Sequence, residues 1–150
     1  MRHAAMGRFL TSVLLMAAAP LHHATAQGTE EQSSAPALRV ELNATQPTDN
    51  GCRFTFVVTN ALQGELANAA FELVLFDKAG MVSRLTIVDF KDLPQGKTKV
   101  RQFDFSGVDC NNLGRVLVND ATQCVGDGIG TGACIRGLET ETRTEIRFGS

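Results

Sequence analysis

Residues 138–148 read Leu-Glu-Thr-Glu-Thr-Arg-Thr-Glu-Ile-Arg-Phe. Leu138, Thr140, Thr142, Thr144, Ile146 and Phe148 alternate with Glu139, Glu141, Arg143, Glu145 and Arg147. A period of two over 11 residues is the mark of a β-strand with one charged face and one neutral or apolar face. Charges along one side also suit an exposed sheet edge, where they discourage pairing with other chains. Six further runs of this kind precede it. Leu38, Val40 and Leu42 alternate with Arg39 and Glu41; the cluster from Pro47 to Gly51 predicts a turn. Phe54, Phe56 and Val58 then alternate with Arg53, Thr55 and Thr59. Ala69–Phe76 is apolar in both phases, as in a central strand. Residues 81–88 place Leu85 and Ile87 on one face. The fifth run holds Val100, Phe103 and Phe105, whose change of phase predicts a bulge. Leu113–Asn119 is the sixth.

Seven short strands with turn signals between them, and no helical periodicity, predict an all-β fold. The expected form is an antiparallel sandwich of the immunoglobulin or fibronectin type III kind. The cysteines bear on that topology. In such a sandwich the second and fifth strands are antiparallel neighbours, which brings Cys52 beside Cys110. The sixth and seventh strands are expected to form a hairpin, which brings Cys124 beside Cys134. Of three possible connectivities, 52–110 with 124–134 is the one this topology favours.

The first 26 residues read differently. Arg2 and Arg8 precede an apolar stretch from Phe9 to Leu21, and Ala24-Thr25-Ala26 has the small-x-small form of a signal-peptidase site. Thirteen residues are too few to span a bilayer, which takes about 20. The expectation is a cleavable secretion signal over 1–26, a flexible polar segment over 27–36 and a β-sandwich domain over 37–150. The absence of an Arg-Arg pair favours the general secretion route. Export to the periplasm or beyond agrees with an even number of cysteines and two structural disulfides.

Cleavage after Ala26 would remove Arg2 and Arg8, so the 14 Lys and Arg become 12 against 16 Asp and Glu, a net charge of −4. This mild acidity argues against nucleic acid and anionic membranes as partners. His3, His22 and His23 would leave with the signal too, and the chain has no Trp or Tyr. Histidine-activated nucleophiles and histidine metal sites are thereby excluded from the mature part.

Other candidate chemistries are weak. Gly126–Gly132 (Gly-Asp-Gly-Ile-Gly-Thr-Gly) looks like a phosphate loop but lacks the flanking strand, helix and lysine that one needs. It reads as a loop pinned by Cys124 and Cys134. Asp89, Asp92, Asp109, Asp120 and Asp127 offer oxygen ligands without any calcium-loop spacing. Paired carboxylates lack the aromatic platforms usual in sugar sites, phenylalanine being the only aromatic. Asn43-Ala44-Thr45 fits the glycosylation acceptor pattern, which matters only in a eukaryotic secretory pathway.

The stretch Phe71–Asn119 resembles a family of small exported proteins of unknown function from alphaproteobacteria, some labelled as carrying a twin-arginine signal. The residues that carry the resemblance are Leu75–Gly80 (LFDKAG), Leu93–Thr98 (LPQGKT), Phe103–Phe105 (FDF), Cys110 with the following NNLGRVLVND, and the late cysteine pair. It extends over roughly Leu38–Phe148. The resemblance implies an exported compartment and a disulfide-held sandwich, and it implies no catalytic residue.

The reading that follows is an exported soluble binding or accessory protein of the bacterial envelope. It has no catalytic residue, cofactor or metal, and its partner is another envelope or secreted protein. The expected contact regions are the 125–133 loop and the charged face of the last strand. The alternative is a carboxylate-based enzyme or a calcium or small-molecule binder.

Overall fold

In the computed structural model, residues 35–130 and 132–150 are described. The signal peptide expected over 1–26 and most of the flexible segment lie outside them. β1 (Leu38–Thr48) and β2 (Gly51–Asn60) form an antiparallel hairpin. β3 (Leu66–Asp77) crosses to the second sheet and turns into β4 (Val82–Leu93). β5 (Thr98–Ser106) returns to pair with β2. A 3₁₀ turn (Cys110–Asn112) leads to β6 (Leu113–Val125). A one-turn helix, α1 (Ala133–Arg136), then precedes β7 (Leu138–Thr142) and β8 (Arg147–Gly149). The sheets have strand orders β5-β2-β1-β7 and β4-β3-β6-β8.

The alternation seen in the sequence becomes the sandwich interior. Val40, Leu42, Phe54, Phe56 and Val58 from one sheet face Phe71, Leu73, Leu75, Val88, Phe90, Val116 and Val118 from the other, all buried. Phe90 sits at the aromatic centre, with ring centroids 5.6 Å from Phe56, 5.8 Å from Phe71 and 5.5 Å from Phe103. Phenylalanine supplies large apolar area without a polar atom that must find a partner. Among the described residues one buried polar side chain, Asn60, ties the top of the sandwich together. Its amide donates to the carbonyls of Gly64 and Leu93, and its Oδ1 accepts from Leu62 N–H. These three bonds fix the segment that carries the chain from one sheet to the other.

The disulfides Cys52–Cys110 and Cys124–Cys134 are both formed, with Cα atoms 5.2 and 5.9 Å apart. The antiparallel β2–β5 register that favours the first pairing is present, with Cys52 opposite Phe105.

The structure corrects the expected topology in three places. The last run is not one strand but two, so the strand count is eight. β7 pairs parallel to β1 and β8 pairs parallel to β6, so the expected β6–β7 hairpin is absent and the sandwich is not wholly antiparallel. The reversal at 143–146 has no glycine or proline. Threonine hydroxyls make it instead: Thr144 N–H donates to Thr142 Oγ1 and Ile146 N–H to Thr144 Oγ1, while Arg143 N–H is taken by the Leu42 carbonyl. The reversal lets Ile146 enter the core and Phe148 pack on Phe56, with centroids 5.7 Å apart.

The third correction concerns β5, whose register against β2 is unbroken. The change of phase arises because Val100 lies on the outer face while Lys99 and Arg101 take the inward phase. From there they reach β4: Arg101 Nε donates to the Phe90 carbonyl, and Lys99 and Arg101 both pair with Asp92. Bulges occur elsewhere, in β1 at Asn43, at the start of β3, and in β4 and β6 where they face β3. At the β4 bulge Lys91 has φ of 63° and is held there by Asp89, which accepts its backbone N–H and its ammonium.

Candidate functional site

The two outer faces of the sandwich differ in kind. On the β5-β2-β1-β7 sheet most exposed side chains are polar and bond to one another, around the apolar pair Val57 and Val100. Thr59 and Thr98 share a hydrogen bond, Gln102 donates to Thr55, Arg53 forks onto Asp104, and Arg39 pairs with Glu139. This face satisfies its own polar groups.

The β4-β3-β6 face carries an apolar row along β4. Directly opposed residues in an antiparallel pair share a face. The registers therefore set Val82 beside Phe76 and Arg115, Leu85 beside Val74 and Leu117, and Ile87 beside Glu72. Met81, Val82, Leu85 and Ile87 are 67%, 53%, 59% and 60% exposed. Isolated exposed apolar residues are ordinary, but a contiguous row of them on one sheet marks an interaction surface. Polar groups border the row. Arg115 lies over the Phe76 ring, 5.6 Å from its centroid, and Asn119 donates to Glu72.

The sequence places Leu85 and Ile87 on one face of their strand; the structure shows that face to be the solvent side. Val88 and Phe90, in the opposite phase, are the buried pair. A strand apolar in both phases gives no signal as to which side faces the core.

The contact regions expected from sequence fare differently. The glycine-rich loop folds back onto the body of the domain: a side chain at Gly126 would collide with the Glu65 carbonyl, and Ile129 packs against the core. Two of the five charges of the last run are matched by neighbours on β1. Glu139 meets Arg39, and Arg143 meets Glu41. The carboxyl of Glu41 is held below its ordinary value, first by the hydrogen bond from Asn43 and then by Arg143.

The aspartates weighed as oxygen ligands are dispersed. Asp89 is lowered chiefly by Lys91, and Asp92 by Lys99. Asp109 caps the 3₁₀ turn by accepting Asn111 N–H, and Asp120 accepts Ala121 N–H. Asp127 lines an open hollow with Glu65 and Asp92. Among the described residues no three of His, Cys, Asp and Glu stand where they would hold one ion. Asn43, of the acceptor pattern, is exposed at the β1 bulge.

No protein-family model and no curated protein matches the chain. Among solved structures, the trimeric lipoprotein SadB of Salmonella enterica is similar at 25% identity and a TM-score of 0.41. The match covers 47% of this chain and 40% of that one, so the chain spans less than half of that protein.

Proposed function

We propose that this chain is an exported accessory protein of the envelope that works by binding another protein, through the outer face of β4, β3 and β6. The observation that carries the reading is the row Val82, Leu85 and Ile87, solvent-facing on a sheet whose fellow sheet presents a largely self-satisfied polar surface with the apolar pair Val57 and Val100. Fully burying a Leu, Ile or Val side chain contributes about 1.5–3 kcal/mol. Three of them supply several kcal/mol toward docking, before the costs of association. Arg115, Glu72 and Asn119 around the row give a partner polar groups to register against.

The compartment supports the reading. Both disulfides close within the described residues, and structural disulfides persist in oxidising compartments. Among the described residues no helix is long and apolar enough to cross a membrane. The N-terminal pattern of Arg2, Arg8, the apolar stretch and Ala24-Thr25-Ala26 supplies the export signal. The resemblance to small exported alphaproteobacterial proteins points the same way.

The test is recovery of the partner from crosslinked envelope. The wild-type chain is expected to bring down a reproducible protein, and the Leu85→Glu/Ile87→Glu variant to lose it while keeping its melting temperature. Equal recovery by the variant would overturn the assignment of the face.

A further inference from the structure

Four strands lie at sheet edges, and three are protected against pairing with another chain. β5 turns Lys99 and Arg101 inward, β7 carries Glu139 and Glu141, and β8 has three residues. Inward charges, charged side chains and short length are the usual means of blunting an edge. β4 is protected only toward its ends, where its charges Arg84, Asp89, Lys91 and Asp92 and its bulges at Ser83 and Phe90 fall. It runs 12 residues without proline, and the side-chain bonds between it and β5 lie in the same two regions. Arg84 is tied to the Ser106 carbonyl at one end, and Phe90 and Asp92 are held by Arg101 and Lys99 at the other. Between them Leu85, Thr86 and Ile87 form an edge on which, among the described residues, no side-chain hydrogen bond or ion pair from β5 falls.

We infer that this edge pairs with the β4 edge of a second copy of the chain, antiparallel, about a twofold axis at Thr86. The sequence from Leu85 to Ile87 is complementary to its own reverse in that register. Leu85 stands opposite Ile87 of the second copy, and Ile87 opposite its Leu85. Thr86 meets Thr86, Ser83 meets Asp89, and Arg84 meets Val88. No like charges face one another, Arg84 being bonded to the Ser106 carbonyl and Asp89 to Lys91 within each copy. Apolar–apolar and Thr–Thr pairs are among those that stabilise antiparallel neighbours. Moving the axis to Ile87 sets Leu85 against Asp89; moving it to Leu85 sets Ser83 against Ile87. Only the axis at Thr86 sets Leu85 against Ile87 and a threonine against itself.

The pairing rests on the docking reading and extends it. The two β4-β3-β6-β8 sheets become one sheet of eight strands. The rows Val82, Leu85 and Ile87 of both copies join on its outer face, and the platform offered to a partner doubles in width. Stable interfaces bury about 1,200–2,000 Å² in total, and a single edge contact falls at or below the low end of that range. Association is therefore expected to be reversible and concentration-dependent.

Sedimentation of the purified chain, with no partner present, tests the pairing separately from docking. Wild type is expected to pass from monomer toward dimer as its concentration rises to about 100 µM, a range that reads micromolar affinity. The Leu85→Lys/Ile87→Lys variant, which sets lysine against lysine, is expected to remain monomeric with an unchanged melting temperature. Thr86→Cys is expected to form a covalent dimer under mild oxidation, and Gln102→Cys on the β5 edge not to. A wild type monomeric throughout, a dimer surviving in the lysine variant, or equal crosslinking through Gln102→Cys would each overturn the pairing. A monomer that still recovers its partner through Leu85 and Ile87 would leave the docking face standing alone.

Discussion

Arg101 donates from Nε to the carbonyl of Phe90 at 2.9 Å, and so joins the edge strand of one sheet to the edge strand of the other. The bond crosses the open side of the sandwich, where two sheets packed face to face leave a seam. On the opposite side the seam is closed by the chain itself, as β7 lies on β1 and β8 on β6. Arg101→Met keeps most of the stem but leaves the Phe90 carbonyl without this donor. The expected loss is about 1–2 kcal/mol of unfolding free energy, measured by urea titration. A loss equal to that of an exposed substitution, within about 0.5 kcal/mol, would show that the seam closes without it.

Acid weakens the same seam and the polar face. Asp92 is held below its ordinary 3.8 chiefly by Lys99, and Asp104 below the same value chiefly by Arg53. Glu41 is held below its ordinary 4.5 chiefly by Asn43. A carboxyl whose folded value is depressed stabilises the fold when ionised. That stability is present above about pH 4.5 and is lost as pH falls through the depressed values. The urea midpoint is expected to be flat from pH 7 to pH 5 and to fall below pH 4, with Asp92→Asn and Asp104→Asn each flattening the decline.

Asn60 is the one polar residue among the fully buried described side chains, and all three of its side-chain bonds are to backbone. Asn60→Asp replaces the two donations to Gly64 and Leu93 with a buried acceptor or charge. Asn60→Ala leaves those carbonyls and Leu62 N–H without their partner. Both are expected to cost about 2–4 kcal/mol, the aspartate variant more at neutral pH than at pH 3. Denaturant titration at the two pH values reads the difference.

The disulfides differ in the loops they close. Cys52–Cys110 spans 58 residues and Cys124–Cys134 spans 10. In the loop-entropy account these contribute about 4 and about 3 kcal/mol. Replacing Cys52 and Cys110 together by alanine is expected to lower the melting temperature more than replacing Cys124 and Cys134. The reverse order would mean that Cys124–Cys134 acts mainly by holding the glycine loop against Glu65.

Much of this fold is legible in the sequence, because alternation of Phe54, Phe56 and Val58 with polar residues leaves few alternatives to a strand buried on one side. The Cys52–Cys110 pairing is legible for the same reason, since strand order alone brings the two together. Cys124–Cys134 also forms, but through α1, which carries Cys134, and not through the β6–β7 hairpin the sequence suggests. The reversal after Thr142 is not. It rests on hydroxyl-to-backbone bonds of Thr142 and Thr144, and threonine is equally at home in a strand. The docking face is half legible. Leu85 and Ile87 stand out as one face, but Val88 and Phe90 make the other face apolar too. Only the packing of Phe90 among Phe56, Phe71 and Phe103 decides which side is core.

The central claim is that the β4-β3-β6 face meets a partner and the opposite face does not. A photocrosslinking residue placed at Ile87, and separately at Val57 on the β5-β2-β1-β7 sheet, tests it in intact cells. The account predicts a discrete crosslinked protein from position 87, abolished by Leu85→Glu, and none from position 57. The same product from both positions, or a product from position 57 alone, would contradict it.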